Sequence, residues 1–275
     1  MQVVIFNVLK LVNTKMDFFE QILIKVDSNA KSSATTPFSY FIQTKNLKIH
    51  YVRIQHFQQS TYRSAVQLLQ ANHGFYITVF EDLYKTSPKK TIDRLLYHTG
   101  VSIRIHGRAT SIKKITKPEA VDFLKNNHSN LSLKTKYSFG LFLKDELVGL
   151  ACFGQIINMR NGAKSVVLIR FCNKSGHRVV GGLTKLIKHF VKTYLIDEIM
   201  TYCDLEWSNG DNYSQLGFEN KGKTEPNEFV INLPTYERIF LKKFEKEVEP
   251  ITVNIDDYLK IENLGSLKFV KYFNV

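Results

Sequence analysis

The sequence predicts a mixed α/β (α+β) protein, in which a mixed sheet is flanked by helices and a smaller α/β unit comes first. Two observations lead to this fold class. Short apolar runs of strand length alternate along the chain with amphipathic segments of helical period. The composition, 44% hydrophobic and 12% aromatic, is that of a chain that buries a core, and it excludes long disordered stretches.

At 275 residues the chain is longer than one typical domain, and we expect three regions. Residues 1–100 are predicted to form the small α/β unit, residues 101–235 the main sheet with its helices, and residues 236–275 a charged extension with short strands.

The first hundred residues contain most of the signals of a small α/β unit. Residues 1–26 predict a strand and then a helix, and the Ser/Thr-rich run Asp27–Pro37 predicts a flexible loop. Phe38–Ile54 alternates as one or two strands do. A helix is expected over Gln59–Asn72, a strand over Phe75–Phe80, and a helix from Ser87-Pro88 to Tyr97 that Gly100 ends. Glu81 and Asp82 are expected to be solubilising charges at a strand end.

The segment Val101–Ile115 is the most basic part of the chain. Its alternation predicts a strand with one charged face, which either contacts phosphates or is merely solvated. A net charge of +13 favours a polyanionic partner, and DNA is the partner we expect. The candidate nucleic-acid-binding residues here are Arg104, His106, Arg108, Lys113 and Lys114.

The middle of the chain predicts the elements of the main sheet. Thr116–Glu119 is a capping box that begins a helix, and Tyr137–Gly154 reads as a β-hairpin. Val166–Cys172 predicts a buried strand that carries Arg170, a residue that needs an anionic partner when buried. A helix ending at Tyr194 follows.

Asn227–Leu233 predicts a last strand of the main sheet. Two more strands are expected at Tyr258–Glu262 and Ser266–Phe273.

The stretch Ile199–Phe218 is the strongest candidate for a functional site. A short buried strand ends at Asp204, a turn-rich loop follows, and a short helix presents Tyr213. This arrangement places a carboxylate and a phenol at one end of a sheet, where ligands bind in open α/β sheets. Three structural roles are open as alternatives: Asp204 as an N-cap, Trp207 as a residue that packs the loop, and Arg170 as a residue that neutralises Asp204 or Glu206.

The order of helix, hairpin, strand, glycine turn, helix, strand, tyrosine-bearing helix and strand resembles acyl-CoA-dependent acetyltransferases of the GNAT type. The turn from Arg178 to Thr184 resembles the pyrophosphate loop of that family, and Tyr213 to Phe218 resembles its Tyr-x-x-Leu-Gly-Phe ending. The resemblance implies an acyl-CoA or related acyl donor, whose identity stays open. The cofactor-binding candidates are Arg178, Val180, Gly181, Gly182 and Thr184.

Residues 101–275 are also similar to phage proteins related to homing endonucleases that end in a Mom-like domain, and Mom-like proteins are GNAT-like enzymes that modify adenine in DNA. This resemblance implies a transferase acting on the exocyclic amine of adenine, with Asp204, Tyr213 and Arg170 as catalytic residues. On that mechanism the displaced base stacks on Trp207 or on Tyr202.

Upstream, Phe75–Tyr84 resembles the last strand of a Vsr-like nuclease, but a two-carboxylate site is not recognisable, so residues 1–100 are interpreted as a degenerate nuclease. Two further hypotheses remain. One is a DNA-binding relative of homing endonucleases with lost or weak cutting, and the other is a non-enzymatic phage protein that binds a host or phage partner.

The remaining residue patterns concern metals, membranes and redox state. Cys152, Cys172 and Cys203 lack metal-ligand spacing and lie in apolar runs, so we expect reduced core cysteines, no metal site and a cytoplasmic protein. No apolar run has the length of a membrane span. The oligomeric state is left open by the sequence.

Overall fold

The computed structural model describes residues 30–128, 135–247 and 254–273, so the strand and helix expected over residues 1–26 lie outside the described residues. The strands are β1 Lys31–Thr36, β2 Ser39–Gln43, β3 Lys48–Val52, β4 Ile77–Phe80, β5 Ile103–His106, β6 Ser111–Lys114, β7 Tyr137–Leu143, β8 Glu146–Phe153, β9 Ile157–Asn158, β10 Lys164–Asn173, β11 His177–Val180, β12 Glu198–Asp204, β13 Glu219–Lys223, β14 Glu228–Asn232, β15 Arg238–Phe240, β16 Tyr258–Glu262 and β17 Ser266–Tyr272. The helices are α1 Gln59–His73, α2 Glu81–Thr86, α3 Pro88–Thr99, α4 Lys117–Asn127, α5 Gly182–Tyr194, α6 Asp211–Gln215 and α7 Leu241–Glu247.

The main sheet has eight strands, in the order β13-β17-β12-β10-β8-β7-β6, with β9 paired to the side of β10. Its pairings are antiparallel except for that between β10 and β12, which is parallel because helix α5 connects the two strands. The predicted order of helix, hairpin, strand, glycine turn, helix, strand, tyrosine-bearing helix and strand is present as α4, β7–β8, β10, β11, α5, β12, α6 and β13. The predicted mixed sheet flanked by helices is therefore confirmed.

Helices α4 and α5 cover opposite faces of this sheet. Successive residues of a strand point to opposite faces, and β8 supplies Leu150 and Cys152 to the cluster under α4 but Ala151 and Phe153 to the cluster under α5. On α5, the ring of Phe190 stacks on that of Phe153 at 3.9 Å between centroids. Both faces of the sheet are therefore covered at β8.

The start of α4 matches its sequence signature. The hydroxyl of Thr116 accepts a hydrogen bond from the Glu119 backbone N–H at 3.4 Å, and the Glu119 carboxylate accepts one from the Thr116 N–H at 2.7 Å. These reciprocal bonds satisfy donors that a helix start leaves without partners, so the predicted capping box is confirmed.

Residues 30–100, the N-terminal unit, form a second sheet of β1-β2-β3-β4 with helices α1, α2 and α3. Pairing is antiparallel except between β3 and β4, which α1 connects. The predicted loop over Asp27–Pro37 is wrong for residues 31–36, because they form β1 along the edge of β2. The Vsr-like origin of this unit stays a prediction.

A third sheet, β15-β14-β16, lies between β13 and β17 in the chain. The expectation that Asn227–Leu233 is a last strand of the main sheet is wrong, because within the described residues β14 pairs with β15 and β16 and not with a strand of the main sheet. Its apolar residues Phe229 and Ile231 pack against Val52 and Phe80 of the N-terminal unit. The last strand, β17, returns to the main sheet between β12 and β13. The predicted domain boundaries remain a proposal.

The basic segment Val101–Ile115 is two strands and not one. A 3-10 turn at Gly107–Ala109 separates β5 from β6, and the two strands join different sheets: β5 pairs in parallel with β11, and β6 pairs with β7. Gly107 lies so close to the next strand that an added Cβ would be 2.9 Å from the Val180 carbonyl oxygen. The break therefore brings β5 against the glycine turn before α5.

Glu81 and Asp82 are buried, so their expected role as solubilising charges is wrong. They begin helix α2, and Glu81 accepts a hydrogen bond from the Ile54 backbone N–H at 3.0 Å. Asp82 accepts two hydrogen bonds from the guanidinium of Arg238, at 2.7 and 2.8 Å. The side chains of this ion pair are 1% and 12% exposed, respectively. The pair joins the third sheet to the N-terminal unit.

The three cysteines are free, and Cys152 and Cys203 are buried while Cys172 is half-buried, as expected for reduced core residues. Within the described ranges, no helix is long and apolar enough to cross a membrane.

Replacing Arg238 by glutamine tests how strongly the buried pair holds the two sheets together. The change leaves Asp82 charged and without its partner, so we expect a loss of about 3 to 5 kcal/mol in the free energy of unfolding. Urea unfolding measures this loss. The matched control is Arg63→Gln, which removes an exposed ion pair with Glu262 and is expected to cost about 1 kcal/mol or less. Equal losses in the two variants would contradict the assignment.

Candidate active site at the fork between β10 and β12

The two parallel strands of the main sheet separate where their pairing ends. The register runs from Ser165 and Glu198 to Leu168 and Thr201, and no further pairs form although β10 continues to Asn173 and β12 to Asp204. We call the region between residues 169–173 and residues 202–204 the fork. Beyond Leu168 and Thr201, the facing backbone groups of the two strands do not pair with each other, so their hydrogen-bonding capacity must be satisfied in another way.

Arg170 lies at the start of the fork because of a β-bulge. Along β10 the partners on β8 step from Phe153, opposite Leu168, to Cys152, opposite Arg170, so Ile169 is the extra residue. The Arg170 guanidinium donates through Nη1 to the Ile169 carbonyl at 2.7 Å, whereas its buried Nε has no partner among the described residues. The unpaired donor leaves the guanidinium available to an anionic group.

Burial lowers the pKa of Arg170, and the attractions of Cys152, Asp204 and Tyr213 oppose that change. Arg170 is therefore attracted by both of the other predicted catalytic residues, Asp204 and Tyr213. In the described part of the chain, no carboxylate forms an ion pair with Arg170, so the structural alternative of a neutralising salt bridge is not what the geometry shows.

Tyr213 is held by aromatic contacts. Its ring lies 5.5 Å from that of Phe218 and 5.5 Å from that of Phe269 on β17, measured between centroids. Burial raises the pKa of the Tyr213 hydroxyl, while the neighbouring Thr201 side chain and the positive charge of Arg170 oppose the rise. The hydroxyl keeps its proton at neutral pH and can donate it.

Asp204 ends β12 and organises the loop after it. Its carboxylate accepts a hydrogen bond from the Glu206 N–H at 3.0 Å, and its carbonyl accepts from the N–H groups of Trp207 and Ser208 at 3.1 and 3.0 Å. Asp204 does not cap α6, since the N-cap position of that helix is Gly210. The turn uses one carboxylate oxygen, Oδ1, so the second can accept a hydrogen bond from a ligand.

The cofactor-binding candidates lie at the junction of β11 and α5. Gly181 is the N-cap of α5 with φ 74, a conformation that favours glycine, and no side chain caps this helix start. Val180 and Gly181 are exposed, Arg178 and Thr184 half-buried, and Gly182 buried. The first N–H groups of α5 have no partners within the helix, so the turn can bind an anion. Their role stays a prediction.

The candidate nucleic-acid-binding residues are accessible, except for Trp207. Lys113 lies 4.8 Å from the ring of Phe142, and the whole basic set is exposed: Arg104, His106, Arg108, Lys113 and Lys114. Trp207 is only 3% exposed and packs in the core of the N-terminal unit. The expectation that it stacks on a displaced base is therefore corrected, because the loop-packing alternative describes where it lies.

Sequence reasoning missed the residues that α3 brings to this region. The guanidinium of Arg94 lies 4.0 Å from the Trp207 ring centroid, and the His98 ring lies 6.4 Å from it. The one available signal was their spacing, since residues four apart share a face of a helix. An arginine and a histidine on the inner face of an amphipathic helix need partners elsewhere in the fold.

A buried carboxyl also escaped the sequence reading. Glu206 is 3% exposed, its Oε1 has no hydrogen-bond partner among the described residues, and its carbonyl accepts from the Thr78 N–H at 2.7 Å. Burial, helped by repulsion from Asp204, raises the pKa of Glu206 to about 8 against the attraction of Arg238. Glu206 is therefore protonated at neutral pH. In the described ranges, no cluster of three or more His, Cys, Asp and Glu side chains could hold a metal ion.

No protein-family model matches the sequence, and no curated protein matches it. The chain is similar to the solved structure of a GNAT family acetyltransferase from Elizabethkingia anophelis with acetyl-CoA bound, at 13% identity and a TM-score of 0.37, over 60% of this chain and 99% of that one. The chain is also similar to a Bacillus subtilis acetyltransferase in complex with CoA, at 14% identity and a TM-score of 0.37, over 60% of this chain and 99% of that one. For a probable acetyltransferase from Staphylococcus epidermidis, the identity is 17% and the TM-score 0.38, over 60% of this chain and 99% of that one.

The raised pKa of Glu206 predicts a pH dependence of stability. Between the ordinary value of 4.5 and about 8, the folded chain binds a proton that the unfolded chain has lost, so stability falls as pH rises through this window. Burial lowers the pKa of His50 and His98 to about 4 from 6.5, so their effect on stability has the opposite sign and is confined below pH 6.5. Between pH 6.5 and 8, Glu206 therefore dominates.

Urea unfolding at several pH values in that interval measures the effect. We expect the wild-type chain to lose on the order of 1 kcal/mol per pH unit, and Glu206→Gln to be less pH-dependent and more stable at pH 8. Glu245→Gln, at an exposed position on α7, is the control and should keep the wild-type slope. The same slope in the Glu206 variant would show that Glu206 is ionised in the folded state.

Proposed function

We propose that the chain is an acyl-type transferase that modifies the exocyclic amine of adenine in DNA. The observation that carries the proposal is the fork, where the buried Nε of Arg170 has no partner among the described residues and the guanidinium is attracted by Asp204 and by Tyr213. The resemblance of residues 101–275 to Mom-like proteins supplies the substrate class, and the exposed cations of β5 and β6 support it.

Each fork residue has a role that fits its surroundings. An exocyclic base amine is neutral and a poor nucleophile because its lone pair is delocalised into the ring. The carboxylate of Asp204 accepts a hydrogen bond from this amine and takes its proton as the new N–C bond forms. As the bond between acyl carbon and leaving group breaks, Tyr213 gives its proton to the leaving group. Arg170 holds an anionic group of the donor or the DNA.

The charges around the fork also favour a neutral amine over an ammonium group. Asp204 attracts two guanidinium groups, those of Arg170 and Arg94. An alkylammonium approaching the same carboxylate would meet both cations, whereas a base amine carries no charge. The acyl donor would be an acyl-CoA or a related activated acyl compound, with the Arg178–Thr184 turn binding its phosphates.

Nucleoside mass spectrometry of DNA from cells that express the chain tests the reaction. We expect a new adenine adduct, reduced about 100-fold or more by Asp204→Asn and by Tyr213→Phe, because each removes a proton-transfer group. Matched controls lie outside the fork: Asp211→Asn and Tyr272→Phe alter exposed side chains and should leave the adduct level unchanged.

Unmodified DNA in cells with soluble wild-type chain would overturn the proposal. Unmodified DNA that is nicked in the presence of Mg²⁺ would favour the alternative of a homing-endonuclease relative. Unmodified, uncut DNA and no DNA binding at low salt would leave a non-enzymatic protein that binds another partner.

DNA binding by the β5 and β6 cations is tested separately, through its salt dependence. The test variant replaces Arg104, Arg108 and Lys114 by glutamine. Each lost phosphate contact should reduce the slope of log affinity against log salt by about 0.9. The control variant removes the same charge from the three exposed lysines of α7. Fluorescence anisotropy of a labelled duplex gives both slopes, and an equal change in both variants would argue against a specific DNA surface.

A further inference from the structure

Helix α3 of the N-terminal unit contacts both sides of the fork. On the side that follows β10, Asp93 accepts a hydrogen bond from the Ser175 hydroxyl, and the Arg178 guanidinium lies 5.3 Å from the ring centroid of Tyr97. The turn of residues 174–176 joins β10 to β11, so α3 is anchored to the strand that carries Arg170.

On the side of β12, α3 contacts the loop that follows Asp204. Arg94 lies over the ring of Trp207 at 4.0 Å, within the range of a cation–π interaction, and Trp207 is buried with Leu95 of the same helix. One helix, from outside the main sheet, therefore spans the two diverging strands at their open end.

Electrostatic attraction links Arg94 to the acidic residues at and after the end of β12. Burial lowers the pKa of Arg94, and the strongest opposing attraction is that of Asp204, followed by that of Glu206. Because Glu206 is protonated at neutral pH, the full negative charge near Arg94 is that of Asp204. Asp204 thus attracts two guanidinium groups, that of Arg170 from β10 and that of Arg94 from α3.

We propose that Arg94 is a positioning residue of the transferase site: it fixes the carboxylate of Asp204, and α3 forms the wall that closes the fork on this side. The inference rests on the proposed function for what the site does. The contacts of α3 with Trp207 and Ser175 are observed independently of that function. One oxygen of Asp204 is fixed by the Glu206 N–H, and the attraction of Arg94 limits how the second can turn. Stacking on the ring of Trp207 holds the Arg94 guanidinium in the position from which it attracts Asp204.

The first measurement is a double-mutant cycle of stability, which requires no activity. Arg94→Gln should lower the urea midpoint in the wild-type chain. In an Asp204→Asn background the same change should lower it by about half as much or less, because the charge that Arg94 serves is already gone. Arg63→Gln, which removes an exposed arginine far along the chain, should shift the midpoint equally in both backgrounds.

The second measurement is the adenine adduct in cells. Arg94→Gln, folded by circular dichroism, should reduce the adduct at least about 10-fold, and Arg94→Lys, which keeps the charge, should restore part of it. Trp207 is the one tryptophan of the chain, so a change in its emission verifies that the contact has been altered. If Arg94→Gln does not fold, the cycle and the adduct assay use Arg94→Lys, with a smaller shift expected in each.

The outcomes separate the two proposals. Additive midpoint shifts, or a wild-type adduct level in folded Arg94→Gln, overturn the role of Arg94. An adduct missing from the wild type overturns the proposed function, while coupling in the cycle would still establish the contact between α3 and Asp204.

Discussion

The contact on which the candidate site depends is the burial of its own loop in a different sheet. The residues after Asp204 leave the main sheet and enter the N-terminal unit, where the Thr78 N–H bonds to the Glu206 carbonyl and Trp207 joins the core. A loop that bears a reactive carboxylate would move freely if it were solvated. Here the three residues after Asp204 are held by the hydrogen bond to Glu206 and by the burial of Trp207, so the loop restrains the position of Asp204.

Much of the fold could be predicted because local patterns determine it. The capping box of α4, the β7–β8 hairpin and the apolar stripe of α5 depend on residues a few positions apart, and each was found where the sequence placed it. The errors concern partners far away in the chain. The segment Val101–Ile115 has a strand pattern, but the pairing of β5 with β11 and of β6 with β7 divides it. No local rule states which sheet β14 joins.

The candidate site shows the same division between local and distant information. Arg170, Asp204 and Tyr213 were named from a motif. The β-bulge and the fork explain how Arg170 and Asp204 come to lie on the unpaired ends of neighbouring strands. Trp207 was misjudged because exposure depends on what packs over a loop, and the helix that covers it lies over a hundred residues earlier. Asp82 was misjudged for the same reason, since its arginine partner lies in the third sheet. In both cases a charged or aromatic side chain had a buried partner that only the tertiary fold supplies.

The position of β17 has a consequence for how the chain folds. This strand pairs with β12 along its whole length, from Glu198 to Asp204, yet residues 224–265 separate it from β13. During synthesis of the chain, one edge of β12 therefore stays unpaired until the residues of the third sheet and then β17 have been synthesised. Pairings between distant segments are slow to form and leave strand edges open to other chains. We expect the pairing of β17 with β12 and with β13 to be the last part of the main sheet to form.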